Sequence, residues 1–216
     1  MDPANKKVLR DYGSAILIAV TVAVLIRYFA IEAYRIPTSA MRPTLEPGDT
    51  IFVTKWPIGF NRKVDRGDVL VFGSPTEPGR DYVKRVLGLT GDTVEVKKGR
   101  FSLNGKPAAA AGESPTAACG HEVISPARSY NVCWELPLNE DFGPVKVPEN
   151  AIFVLGDLRN QSASDLKKRR SWGIIPLEAV KGRAQWIWLS VEPHNNGISP
   201  ARFPNFRFER MFRRIE

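Results

Sequence analysis

Lys84 is the residue in this chain with the clearest prospect of acid–base chemistry. It lies in the run Tyr82-Val83-Lys84-Arg85-Val86-Leu87. Strand alternation puts it on one face with Tyr82 and Val86. An amine held among apolar neighbours is desolvated, which lowers its pKa, and an uncharged lysine can take a proton from a hydroxyl nucleophile. The bland reading of the same run is a strand lysine facing water. Other catalytic patterns are missing. There is no G-x-S-x-G elbow, no H-E-x-x-H pair and no phosphate-binding loop. The only two histidines, His121 and His194, fall in an apparent insertion and in a Pro/Asn/Gly-rich turn. Both read as surface residues, so a Ser-His-Asp triad is not expected. Two cysteines, Cys119 and Cys133, are too few for a zinc site. No metal and no cofactor is expected.

The elements that would position such a lysine are short strands. Ile51–Val53 follows the turn Pro47-Gly48-Asp49, and Val69–Phe72 follows Arg66-Gly67-Asp68. Tyr82–Leu87, Thr93–Val96, Ile152–Leu155 and Ala184–Leu189 are further apolar or alternating runs. Phe101–Leu103 runs into Asn104-Gly105, a strong two-residue hairpin signal. The 17 Pro and 17 Gly punctuate these runs. The expected fold is mostly β, an antiparallel barrel or sandwich. Pro107 to Ala118, with alanine at 108 to 111, reads as a loop opening an insertion that ends near Pro144.

Residues 13–26 carry no charge and are rich in Ala, Ile, Leu and Val. A span needs about 20 residues, which is reached by passing Arg27 into Tyr28, Phe29, Ala30 and Ile31. Arg27 can snorkel, and the aromatics suit the interface. A cleaved signal peptide is the rival, but cuts after Ala30 or Ala33 would place Tyr28 or Ile31 where a small residue is needed. One transmembrane helix over 12–32 is expected, with basic residues 1–11 cytoplasmic by the positive-inside rule. The net charge of +8 then points to an anionic bilayer rather than to nucleic acid. The apolar turn Trp56–Phe60 reads either as a loop dipping into the bilayer or as one folded into the core. Arg202–Arg214, with five Arg and four Phe, reads as a final strand with a basic, membrane-facing edge. Outside the cytoplasm Cys119 and Cys133 are expected to pair, closing a loop of about 15 residues and adding roughly 3 kcal/mol.

A series of boxes then carries a family resemblance. Ile36-Pro37-Thr38-Ser39-Ala40-Met41-Arg42-Pro43-Thr44-Leu45 resembles the nucleophile box of bacterial type I signal peptidases, I-P-[ST]-x-S-M-x-P-T-L. Glu46–Lys55, Arg66–Phe72 and Tyr82–Asp92 resemble the next blocks, the last of them being the lysine box. Gly156-Asp157-Leu158-Arg159, Ser162 and Trp172–Pro176 resemble the final box, and Asn104–Pro107 also matches. The resemblance implies a Ser/Lys-dyad endopeptidase that removes signal peptides from exported preproteins outside the plasma membrane. It implies no cofactor, and a β catalytic core (33–106 and 145–216) with a smaller inserted domain (107–144). Lys84 takes the place of the general base. Thr38 and the backbone N–H of Ala40 take the oxyanion hole, and Ser162 the residue that orients the lysine. Asp157, Arg159, Asp165 and Arg170 take supporting places. The implied partners are signal peptides and the bilayer.

Two departures qualify this. The nucleophile position before Met41 is Ala40, and a methyl group cannot attack a carbonyl. The final box has Leu158 and Ser164 where the family has Asn and Asp, with Asp165 one place late and about four extra residues around Lys167 and Lys168. A serine-to-alanine exchange accounts for the first departure alone; divergence of the copy accounts for both. Ser39 is the one neighbouring hydroxyl besides Thr38, and in an extended segment it would face away from Lys84. The functional reading is thus a signal peptidase silenced at its nucleophile. The alternative is a pseudoenzyme that binds signal-peptide-like segments without cutting them.

Overall fold

A computed structural model of the chain describes residues 12–22, 31–55, 63–75, 77–108, 119–125, 128–134, 141–159, 172–193 and 205–215. Fifteen strands follow a helix over 12–22. They are β1 (Ile31–Arg35), β2 (Asp49–Lys55), β3 (Val69–Gly73), β4 (Asp81–Gly88), β5 (Thr93–Lys97), β6 (Arg100–Leu103), β7 (Lys106–Pro107) and β8 (Cys119–Ser125). The rest are β9 (Arg128–Trp134), β10 (Phe142–Lys146), β11 (Ala151–Leu155), β12 (Leu158–Arg159), β13 (Trp172–Pro176), β14 (Val180–Ser190) and β15 (Arg213–Arg214).

The mostly-β expectation holds. One sheet runs β1-β2-β14-β3-β4-β11-β13 with β15 beside β14, and its pairings are antiparallel. Its central strand β14 is among the last in sequence, yet lies between β2 and β3. A second sheet is β10-β5-β6-β7, drawing strands from both sides of residue 107. A third, β12-β9-β8, contains a parallel pair. The Asn104-Gly105 hairpin forms as its sequence suggests, with φ of 51° and 78° at the two turn residues and Leu103 facing Lys106.

Among the described residues no helix is long and apolar enough to cross a membrane. The helix over 12–22 falls within the expected anchor; residues 23–30, like Trp56–Phe60 and His194, lie outside the described residues. Ile31 and Glu32, expected at the anchor's end, instead open β1 and pair with Thr54 and Val53. Their backbone lies in the antiparallel ladder with β2.

Three apolar clusters hold the sheets together. Phe101, Phe142 and Phe153 stack at 5.6–5.8 Å and join the large sheet to the second one. Tyr130, Val132 and Trp134 of β9 enter the same cluster. Met41 and Leu45, just after position 40, pack with Ile51, Val53, Val71 and Ile187. The third cluster takes Leu70, Phe72, Val86 and Val154.

The basic C-terminal segment forms the expected exposed strand only at β15, where Arg213 and Arg214 pair with Ile187 and Trp186. Arg207 and Arg210 fold inward onto Asp49, which is fully buried. Asp49 also accepts from the Ser190 hydroxyl at 2.7 Å, while Arg207 reaches Glu46 at 2.9 Å. A buried carboxylate needs such partners, and among the described residues Arg207 and Arg210 supply its cations. Burial by itself would raise the Asp49 pKa; hydrogen bonds from Arg210, the Glu46 N–H and Ser190 outweigh it and hold the carboxyl below its ordinary value. A lowered folded-state pKa means stability that is present above the unfolded value, about 3.9, and lost as pH falls through the folded one. Chemical unfolding is therefore expected to show a steep loss of stability below about pH 4. In Asp49→Asn that acid limb flattens, and the variant starts from a lower stability at pH 7.

Candidate active site

Position 40 sits in a turn rather than in a strand. Residues 38–44 form bends and turns between β1 and β2, closed by the Arg42 N–H to Ser39 carbonyl bond at 2.9 Å and the Leu45 N–H to Met41 carbonyl bond at 2.9 Å. Strand alternation therefore does not set the direction of Ser39, contrary to the extended geometry expected there. Buried Met41 and Leu45 pin the turn to the core, leaving Thr38 exposed and Ser39 and Ala40 half-buried.

Lys84 lies on β4 between β3 and β11, with Leu70 as its β3 partner. It is 7% exposed. The solvated reading of Lys84 is thus excluded, and β4 is buried on both faces from Lys84 to Gly88.

The turn after β11 joins the two. A β-carbon placed on Gly156 would fall 2.6 Å from the Ala40 carbonyl oxygen and 3.1 Å from Lys84 Nζ. The Ala40 carbonyl and the lysine amine therefore both lie against one glycine. The Leu158 N–H donates to the same Ala40 carbonyl at 3.2 Å. Residues separated by more than a hundred positions in sequence close on each other here.

A buried ionic cluster backs this meeting point. Arg85 grips Asp157 with Nε at 2.8 Å and Nη2 at 2.7 Å, both side chains being 1% exposed. It also donates to the Gly67 carbonyl at 2.9 Å and to Thr44 Oγ1 at 3.1 Å. The Thr44 hydroxyl donates to Asp157 Oδ2 at 2.5 Å. Asp157 thus ties the turn after β11 to both β4 and the loop after position 40. Arg159 turns its Nε to the Gly156 carbonyl at 2.8 Å and its Nη atoms to buried Glu122 of β8. Burial would lower the pKa of both guanidiniums, but the adjoining carboxylates (Asp157 for Arg85, Glu122 for Arg159) raise it above the ordinary arginine value. A charged cluster of this kind is specific in geometry, and losing one partner strands the other.

Ala40, Thr38, Ser39, Lys84, Asp157 and Arg159 are therefore assembled in one region. Ser162, Asp165 and Arg170 lie outside the described residues. His121 sits on the β8–β9 hairpin opposite Asn131, its Nδ1 3.1 Å from the amide oxygen, in a surface role. Cys119 and Cys133 form a disulfide across the β8–β9 pair. No group of three or more His, Cys, Asp or Glu capable of holding a metal occurs among the described residues. Sequence reasoning missed Glu122, Tyr130 and Thr44.

The family model described as signal peptidase, peptidase S26, matches residues 9–189. The chain belongs to the signal peptidase family. It is 35% identical to signal peptidase I of Bacillus licheniformis, over 86% of this chain and 91% of that one. Against signal peptidase I T of Bacillus subtilis (strain 168) the identity is 33%, over 83% and 84%. Against signal peptidase I of Pseudomonas fluorescens it is 30%, over 88% and 76%. A crystal structure of a signal peptidase I from Enterococcus faecalis V583, 24% identical, overlaps 56% of this chain and 97% of its own with a TM-score of 0.33, too loose a superposition to argue from. By family this signal peptidase is a serine endopeptidase that acts on signal peptides. The match spans both the turn at position 40 and the Gly156 turn that meets it.

Proposed function

We propose that this chain is a membrane-anchored signal peptidase I whose cleavage step is switched off at residue 40 and whose substrate groove is retained. The observation that carries the reading is the Gly156 contact, which brings position 40 and Lys84 against one glycine. With serine at position 40 the dyad works as follows. The Lys84 amine takes the hydroxyl proton as the oxygen attacks the scissile carbonyl. The oxyanion is received by the Thr38 hydroxyl and the N–H of residue 40. The lysine then returns the proton to the departing amine, and water repeats the cycle on the acyl-enzyme. By the family's pattern Ser162 takes the place of the lysine-orienting hydroxyl and Asp165 and Arg170 take supporting places, while Asp157 and Arg159 hold the turn after β11. No metal or cofactor takes part. Ala40 removes the attacking oxygen and leaves the groove.

The bilayer is the second partner. Support comes from the apolar N-terminal segment and from exposed aromatics on β2, on β14 and in the segment 208–212. Phe52 and Trp188 stack at 5.4 Å, and Trp186, Phe208 and Phe212 are also exposed. The proposed location is the bacterial plasma membrane, with the β-domain on its outer side.

The chain as it stands is expected to hold precursors without turning them over. Main-chain pairing along an extended substrate supplies much of the affinity, and small pockets supply the choice of alanine-like residues. A precursor carrying a photoreactive residue beside its cleavage site should crosslink near Thr38–Met41 and Lys84. Labelling should fall when the small residues before the cut are made bulky. Labelling indifferent to those residues would leave an anchored β-domain with no signal-peptide groove.

A further inference from the structure

The β8–β9 hairpin delivers two buried polar side chains to which the peptidase reading gives no task. Glu122 is 0% exposed, and Tyr130 is its cross-strand partner. The Tyr130 hydroxyl donates to Glu122 Oε2 and accepts from Arg159 Nη2 at 3.1 Å. Arg159 also donates to Glu122 Oε1 at 3.1 Å and Oε2 at 2.6 Å. Burial, reinforced by Glu122, holds the Tyr130 phenol well above its ordinary pKa, so it stays protonated and remains a donor. The other side of the tyrosine matters too. Its ring lies 4.4 Å from the Arg85 guanidinium, which grips Asp157.

The hairpin is also stitched to the turn after β11 by backbone. The Cys133 N–H donates to the Asp157 carbonyl at 2.9 Å, and Leu158 pairs with Cys133. The disulfide closes the hairpin at that same end. Around this turn Arg85 and Arg159 are balanced by Asp157 and Glu122, and only Glu122 comes from the hairpin. The strands flanking β4, β3 and β11, bring no charged side chain. At the start of β3, Asp68 is occupied by Arg128 and Arg183. Among the described residues, this four-residue cluster carries the charges tied to the turn that meets Lys84.

Resting on the reading of Lys84 as the base, we propose that Glu122 and Tyr130 are positioning residues of the peptidase. They hold Arg159 on the Gly156 carbonyl, and so fix the glycine against which position 40 and the lysine both lie. Gly156 has no slack, since its neighbours stand within one methyl group's reach. Release of Arg159 would let the turn drift, and would leave a buried cation uncompensated near the amine.

The test uses the full chain in detergent micelles with 13C-labelled lysine. The Lys84 Cε resonance is assigned by its disappearance in Lys84→Arg. Glu122→Gln keeps the shape and removes the charge. It should shift the Lys84 resonance and lower its titration midpoint by about one unit. Tyr130→Phe keeps the ring and should move both in the same direction by less, and it decides the matter if Glu122→Gln does not fold. Val180→Ala, a change in the core cluster that holds no hairpin residue, should lower the melting temperature and leave the Lys84 resonance in place. With serine restored at position 40, Glu122→Gln should lower kcat about tenfold or more and change KM by less than about twofold. A Lys84 signal unmoved in the folded hairpin variants, one moved equally by Val180→Ala, or a loss confined to KM would each overturn the proposal. An inert Ala40→Ser chain would instead sink the peptidase reading, with the Lys84 resonance still reporting on the hairpin.

Discussion

Ala40→Ser is expected to turn a chain with no measurable turnover into one that cuts a precursor at an Ala-x-Ala site. The gain should be large, because removing the nucleophile of a serine-type site costs on the order of a millionfold in kcat. The reasoning is geometric. Met41 and Leu45 pin the turn into the core, and the Ala40 carbonyl already takes a hydrogen bond from the Leu158 N–H. A single added oxygen leaves that framework unchanged and meets a lysine already buried against Gly156. Gel-based processing of a precursor by the reconstituted chain reads the outcome, with Lys84→Met as the companion that should return it to background. Failure of folded Ala40→Ser on several precursors would favour the binding-only reading, with the altered box from Leu158 to Ser164 as the seat of the damage. Any residual activity of the parent chain that survives Ser39→Ala excludes Ser39 as the source.

Gly156→Ala, made in the same Ala40→Ser background, is expected to abolish most of that activity while the protein stays folded. The backbone of Gly156 is not in the left-handed region, so alanine fits its conformation. The obstacle is space. The new methyl would stand 2.6 Å from a backbone oxygen of residue 40, which cannot swing away, and 3.1 Å from the lysine amine. The turn or the lysine must move by a substantial fraction of an ångström. Misplacement on that scale costs about a hundredfold in rate. Single-turnover kinetics should show the loss in the chemical step, with precursor crosslinking retained. Activity within about threefold of the Ala40→Ser parent would mean that Lys84 approaches position 40 from another side.

The strands of the large sheet were legible because apolar runs such as Val69–Phe72 and Ile152–Leu155 are bounded by Gly, Pro and Asp turns. The contacts that build the site were less so. The bland reading of this run set Lys84 facing water, but β4 is covered on both sides from Lys84 onward, and the next residue, Arg85, is held by Asp157 from 72 residues away. β1 was hidden because the expected anchor, 12–32, ran over its first two residues, Ile31 and Glu32. The hairpin β8–β9 was taken for part of a loop-led insertion. One signal was available: Glu122 is in phase with Ile124, and Tyr130 with Val132 and Trp134, so the glutamate falls on the apolar side of its strand. A carboxylate in that register asks for a buried cation. Nothing local could have named Arg159 as its partner, because that pairing is fixed by the fold and not by spacing.

The place of β14 in the large sheet has a bearing on when this protein can work. The half that carries residues 38–41 is β1 with β2, and the half that carries Lys84 is β3 with β4. Within the sheet these halves touch only through β14, which follows β4 by more than ninety residues. On a ribosome, or emerging through a translocation pore, the first two-thirds of the chain holds both halves of the site and no strand to join them. The large sheet that carries residues 38–41 and Lys84 therefore closes only once β14 has been delivered. Chain order thus acts as a timer on the assembly of that sheet.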